Sequence, residues 1–175
     1  MPKINYFDTL DALAKLCADS VKLALSGRKS ELAAHTEERD RLVLDIENAL
    51  FADFLPPLER NDISIVAHAL SRVIDAAAAL STSLPHNSIT QGGKDAEIYL
   101  KMADELTAHT ARLRNIRKPN ECPNLKGFRQ LLRESRRSKK QLLGSRCALP
   151  CSAEKLCGAI SQAFDDITEV MLNNI

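Results

Sequence analysis

The chain contains no tryptophan and few other aromatic residues, which make up only 4% of its 175 residues. Its hydrophobic content is nevertheless 45% and consists mainly of alanine and leucine. This composition favours a core of close-packed helices over an aromatic-rich sheet. No segment alternates apolar and polar residues as a half-buried strand does. The length is sufficient for one substantial core or for two small bundles that share one.

The sequence also lacks an excess of charge of either sign, with 24 Lys and Arg residues against 23 Asp and Glu residues. Global charge therefore gives no reason to expect a nucleic-acid partner. No apolar run approaches the roughly 20 residues that a membrane span needs, and the N-terminus lacks the basic-then-apolar pattern of a signal peptide. A cytoplasmic protein is expected, with its five cysteines as free thiols.

Motifs of catalysis are absent as well. The sequence contains no glycine-rich phosphate loop, no Gly-x-Ser-x-Gly nucleophile motif and no His-Glu-x-x-His zinc motif. The cysteines in the second half, from Cys122 to Cys157, do not form the Cys-x-x-Cys pairs of a zinc site. The sequence therefore predicts a protein that is not an enzyme.

Apolar residues recur at helical spacing along most of the chain and predict six helices. The predicted helices cover approximately residues 7–25, 30–54, 59–81, 94–116, 125–143 and 152–173. Gly27 is expected to end the first helix, Phe54 to close the apolar stripe of the second, and Glu105 and His109 to form an exposed i, i+4 pair in the fourth. Residues 82–93 are rich in turn formers and predict a linker. The fold expected is a single all-α domain of two three-helix units, at about 5–81 and 94–174, antiparallel within each unit.

The corner between the second and third helices is the most distinctive stretch. Pro56 and Pro57 must end the helix before them, and Glu59, Asn61 and Asp62 supply acid and capping groups for the next helix. The phrase Pro57-Leu-Glu-Arg-Asn-Asp-Ile63 resembles a signature of the PhoU-like phosphate-transport regulators, and more closely that of the short accessory proteins of Pit-type phosphate transporters. The corresponding residues are Phe54, Pro57, Leu58, Glu59, Arg60, Asp62, Ile63, Leu70, Val73, Ile74 and Asp75, while Pro56, Glu59 and Asn61 replace the family's Thr, Asp and Glu.

This resemblance implies a PhoU-like six-helix antiparallel bundle and a non-enzymatic, regulatory role in phosphate uptake. The partner would be a Pit-type phosphate transporter, so the protein would lie in the cytoplasm, peripheral to the inner face of the cell membrane. The expected docking surfaces are the polar face of the third helix and the basic fifth helix, with Arg60, Asp62, His68, Arg72, Arg133, Arg136 and Arg137 as partner-binding residues. Arg60 and Asp62 equally suit structural roles, Arg60 by tying the corner to a neighbouring acid and Asp62 by stabilising a helix N-terminus. Long apolar stripes are compatible with a homodimer and also with packing inside one chain.

Many relatives bind metal clusters through two carboxylates at i, i+4 on one helix, a spacing that projects both from one face toward a hard cation. Here the equivalent positions are Thr36 and Asp40, Ser71 and Asp75, Glu134 and Ser138, and Gln162 and Asp166. One carboxylate remains at each position, so no cofactor is expected, and Arg72 is expected to pair locally with Asp75. The alternatives are a metal-binding helical bundle for sensing or storage, with a divalent ion at Asp40, Asp75 and Asp166, and a helical interaction module with an unrelated partner.

Overall fold

The computed structural model describes residues 4–83, 94–116, 126–127, 129–134 and 151–174. Regular secondary structure in these ranges is entirely helical and includes no strand, which confirms the all-α prediction. Residues 84–93 of the predicted linker lie outside the described ranges. The helices are α1 (Tyr6–Leu25), α2 (Lys29–Ala52), α3 (Arg60–Ser83), α4 (Lys94–Ala111) with a 3-10 turn at Arg112–Asn115, α5 (helical at 126–127 and 129–134) and α6 (Cys151–Asn173).

The first helix begins and ends as its sequence predicts. The Asn5 side chain accepts a hydrogen bond from the Asp8 backbone N–H at 3.4 Å and so caps the N-terminus. At the other end Gly27 has a φ of 73°, a left-handed conformation that costs glycine little. The Gly27 N–H then bonds the Ala24 carbonyl and the Arg28 N–H bonds the Leu23 carbonyl. These two bonds form a Schellman motif, so the prediction that Gly27 ends α1 is confirmed.

Four of the helices form a closed ring in which α1 packs on α3, α3 on α6, α6 on α4 and α4 on α1. Helix α2 packs outside this ring, against α1 and α3. Long-range hydrogen bonds give the directions: Arg72 meets Asp166 and Asp62 meets Asn174, so α3 and α6 are antiparallel. Tyr6 meets Asp53 and Ser20 meets His35, so α2 is antiparallel to α1. The contacts of Arg39 with Asp75 and of Glu47 with His68 show that α2 is also antiparallel to α3. The first and second halves of the chain therefore meet along α1–α4 and α3–α6.

The buried apolar side chains make one continuous cluster that includes residues of α1, α2, α3, α4 and α6. Helices α1 and α3 each contribute nine residues to it, and in α3 Ile63, Val66, Leu70, Val73 and Ile74 are fully buried. These residues follow the predicted apolar face of the helix. Each fully buried aliphatic side chain of this size stabilises the fold by about 1.5–3 kcal/mol, so the buried face of α3 is a major source of core stability.

Helix α2 is shorter than its sequence pattern predicts. It ends at Ala52, and the next residue, Asp53, is already extended with a ψ of 129°. The prediction that Phe54 belongs to the buried stripe of α2 is wrong, since its side chain is 87% exposed. The physical reason is Pro56, which has no N–H to donate to the Ala52 carbonyl, clashes with that carbonyl in a helix, and keeps Leu55 out of the helical conformation.

Candidate functional site

The corner between α2 and α3 is held together by Arg60, the first residue of α3. Its Nε donates to the Leu50 carbonyl at 3.0 Å, and its Nη2 donates to the carbonyls of Asp53 at 2.5 Å and Phe54 at 3.4 Å. Carbonyls at a helix C-terminus have no partner within their own helix. Arg60 therefore satisfies the end of α2, and its partners are backbone carbonyls where a neighbouring acid was expected.

The Asp53 side chain connects the same corner to the N-terminus of α1. Its Oδ2 accepts a hydrogen bond from the Tyr6 hydroxyl at 2.8 Å. Burial, and then this bond to the carboxylate, raise the pKa of Tyr6 to about 12. The phenol therefore stays protonated at neutral pH and keeps donating to Asp53.

Asp62 lies in the first turn of α3 and is 6% exposed. Its Oδ2 accepts from Asn174 Nδ2 at 2.6 Å, and the same nitrogen donates to the Val170 carbonyl at 2.8 Å. A carboxylate at this point is favoured by the positive end of the helix dipole. Asp62 thus joins the start of α3 to the end of α6.

Two of the acids predicted as metal ligands, Asp40 and Asp75, share one arginine. Arg39 Nη2 lies 2.8 Å from Asp40 Oδ1, and Arg39 Nη1 forms an ion pair with Asp75 across the α2–α3 interface. The Arg39 side chain is only 12% exposed, and its acidic partners hold its pKa above the ordinary value, against the effect of burial. The expected local pair between Arg72 and Asp75 is therefore wrong: Asp75 pairs with Arg39.

Arg72 instead pairs with the third predicted acid, Asp166 of α6, at 2.5 Å. The other carboxylate oxygen of Asp166 accepts from Gln162 Nε2 at 2.7 Å. The Asp166 side chain is 17% exposed, so both of its oxygens are engaged in a largely desolvated position. Bonds of this charge-assisted kind are among the stronger hydrogen bonds in proteins.

These contacts test whether the predicted acids could hold a divalent ion. A hard cation needs several oxygens directed at one point, whereas Asp75 and Asp166 are each bound to a different arginine. The part of the chain that the structure describes contains no group of three or more His, Cys, Asp or Glu side chains arranged for a metal. Paired in this way, Asp40, Asp75 and Asp166 do not fit the metal cluster that the family resemblance implies.

A groove of about 570 Å³ runs between α3 and α6 and contains most of the predicted docking residues of α3. Asp62, His68 and Arg72 line it from one side and Asp166 and Glu169 from the other. His68 is half exposed, and its Nε2 lies 3.5 Å from Glu47 of α2. The structure thus brings these predicted residues of the third helix together on one polar surface.

The basic fifth helix lies only partly within the described residues. Arg133 is exposed there, whereas Arg136 and Arg137 lie outside the described ranges. Leu131 and Leu132 pack against the core. Gln130 donates to Glu134 at 3.0 Å along the same helix.

Sequence reasoning missed the position of His109, which was expected to be exposed and is fully buried. Its ring stacks on Phe164 with 4.1 Å between centroids, and its Nε2 lies 2.9 Å from Thr168 Oγ1. Because the Thr168 hydroxyl donates to the Phe164 carbonyl, this oxygen accepts from Nε2–H. Burial, and then the charge of Arg112, lower the pKa of His109 to about 4. A signal was present, since Met102, Leu106, His109 and Leu113 share one helical face.

Among the described residues one helix, α3, is long and apolar enough to meet the criteria for a membrane span. A helix buried in a packed core can meet the same criteria, and α3 is such a helix. No protein-family model matches the chain, and no curated protein is detectably similar to it.

Proposed function

We propose that this chain is a PhoU-like accessory protein, without enzymatic activity, that modulates inorganic phosphate transport by docking on a Pit-type transporter. It would act in the cytoplasm, at the inner face of the membrane. The proposal rests on the corner phrase from Pro57 to Ile63, together with the all-α fold of the described residues, in which the two halves of the chain pack side by side.

The observation that supports the proposal most is that four residues of this phrase are buried or make contacts that shape the corner. Leu58 and Ile63 are buried, Arg60 binds the last carbonyls of α2, and Asp62 binds Asn174 of α6. The four residues thus fix how α2, α3 and α6 meet. Proteins that share a fold are expected to share the residues that shape its helix corners. The resemblance of this phrase therefore supports a common fold, and the family's role follows from it by analogy.

Docking would occur through the α3–α6 groove, at His68 and Arg72, and through Arg133, Arg136 and Arg137 of the basic segment. A bound protein changes a transporter's activity only if it binds one of the transporter's conformations more tightly than another. In this proposal the chain offers a rigid helical surface to the cytoplasmic side and shifts the balance between transporting states.

The direct test is phosphate uptake by cells that contain the Pit-type transporter of the same genome, with and without this protein. We expect the presence of the chain to change the uptake rate and the chain to copurify with the transporter. Arg133→Glu, and separately the pair His68→Ala and Arg72→Ala, should reduce both effects. Lys15→Ala, an exposed change on α1, is the matched control. Uptake that is the same with and without the chain would contradict the proposal.

A further inference from the structure

The corner carries three large apolar side chains that the described part of the chain leaves uncovered. Phe51 is 92% exposed, Phe54 87% and Leu55 85%, and we call these three residues the corner patch. Single exposed apolar residues are ordinary on protein surfaces. Three within five positions, two of them phenylalanines in a chain with only five, are typical of an interaction site.

The corner patch is exposed although the corner itself is well ordered by contacts. Arg60 binds the carbonyls of Leu50, Asp53 and Phe54, and Leu50 and Leu58, the neighbouring leucines of the same corner, are buried. The backbone is therefore held so that some apolar side chains enter the core while the patch points outward. A surface held in this way loses little conformational entropy when a partner covers it.

The segment that carries the corner patch is rich in acidic residues. Residues 42–59 contain four acids, namely Asp45, Glu47, Asp53 and Glu59, and no lysine or arginine. Asp45 and Glu59 are exposed. At the ends of this segment Arg41 pairs with Glu38, and Arg60, which donates to the corner carbonyls, offsets one of the four acidic charges. The segment therefore keeps a net negative charge next to the apolar surface, and we call its acids the acidic rim.

This rim distinguishes between the surfaces that could cover the patch. Anionic lipid headgroups would be repelled by it. A second copy meeting the patch about a two-fold axis would bring the same acids against one another. A segment that combines apolar residues with lysine or arginine complements both the patch and its rim.

We propose that the corner patch binds an apolar, Lys- and Arg-rich segment in a cytoplasmic loop of the partner transporter. The identity of the partner rests on the proposed function, and the chemistry of the segment rests on the patch and its rim. Cytoplasmic loops of membrane proteins carry an excess of lysine and arginine, so such a loop supplies the required charge.

The test measures binding of the full chain to the Pit-type transporter of its own genome, held in nanodiscs of neutral phosphatidylcholine. The variant Phe51→Ser, Phe54→Ser, Leu55→Ser should weaken binding about tenfold or more because it removes the apolar contact area. The pair Asp45→Lys and Glu59→Lys should weaken it too, and added salt should weaken binding of the wild type. Leu172→Ser replaces a 66% exposed leucine on α6 and should bind like the wild type. All variants should keep the wild-type melting temperature, since the replaced side chains are exposed.

The outcomes separate this inference from the function on which it rests. If the wild type does not bind the transporter, the proposed function fails and the inference fails with it. If the wild type binds and the triple serine variant binds equally well, the inference is overturned while the function stands. Patch-dependent binding to empty nanodiscs of phosphatidylserine would assign the patch to lipid, and patch-dependent dimerisation in sedimentation would assign it to a second copy. Either result would overturn the inference.

Discussion

Acidification should destabilise this protein through His109, which is fully buried and whose pKa is lowered to about 4 by burial and the nearby Arg112. A histidine in the unfolded chain titrates near pH 6.5. Between these two values the unfolded chain binds a proton that the folded protein does not. The free energy of unfolding therefore falls as the pH falls from about 6.5 to about 4, and the contribution of His109 is fully present only above this range.

The size of this effect follows from the two pKa values. One pKa unit corresponds to about 1.4 kcal/mol, so lowering the pH from about 7.5 to about 4 should remove about 3 kcal/mol through His109. About half of this loss should have occurred by pH 5.4 or so. For a domain whose total stability is typically about 5–15 kcal/mol, the change is large.

The assay compares the free energies of unfolding of the wild type and His109→Leu at several pH values. Unfolding by denaturant is monitored by circular dichroism. The Leu variant cannot take up this proton, and it shares the other titrating groups, including Glu38, whose pKa Arg41 lowers. The stability of the variant relative to the wild type should therefore rise by about 3 kcal/mol between neutral pH and pH 4. His68→Asn, at a half-exposed histidine, is the control. A difference between wild type and His109→Leu that does not change with pH would refute the reasoning.

Three further predictions concern the corner, the ion pairs and the buried thiol. Arg60→Ala should lower the free energy of unfolding by about 1–2 kcal/mol, because it leaves carbonyls at the end of α2 without their partner; the exposed Arg41→Ala should change it by less than about 0.5 kcal/mol in the same denaturant measurement. Dialysis against EDTA should leave the melting temperature unchanged, because the acids that a metal would bind already form ion pairs with Arg39 and Arg72; a clear fall on chelation would contradict this. Cys17 is buried, its Sγ donates to the Leu70 carbonyl at 3.0 Å, and burial raises its pKa. Iodoacetamide should therefore modify Cys17 only when the protein unfolds, and rapid modification of the native protein, detected by mass spectrometry, would show that reasoning to be wrong.

The predicted docking residues differ in how much they also contribute to the fold. Arg60 and Asp62 are bound within the chain, to the carbonyls of α2 and to Asn174, so replacing either would disturb the fold as well as any partner contact. The His68 side chain is half exposed and Arg133 is exposed. Mutations at these two positions therefore test docking with less effect on folding.

Local signals in the sequence were sufficient to predict α1, α3 and α6 and the turn at Gly27 that ends α1. Helical spacing of apolar residues predicted α1, α3 and α6 to within a few residues, and Gly27 and the proline pair marked where helices stop. These features depend on the backbone preferences of a few neighbouring residues. The same locality explains the error at Phe54, because an apolar residue at the right spacing is buried only if the helix continues far enough to bury it.

The sequence by itself therefore determined an all-helical chain, its core-forming faces and the corner that resembles the PhoU-like signature. Only the tertiary structure decided which charges meet. Arg39 reaches Asp75 and Arg72 reaches Asp166 across 36 and 94 residues of sequence, and no local pattern specifies such pairs. Burial of His109 has the same origin, since it depends on which helix packs against that face of α4. Helix formation is specified largely within each segment, whereas the partners of a side chain are set by how α1, α3, α4 and α6 close into one ring.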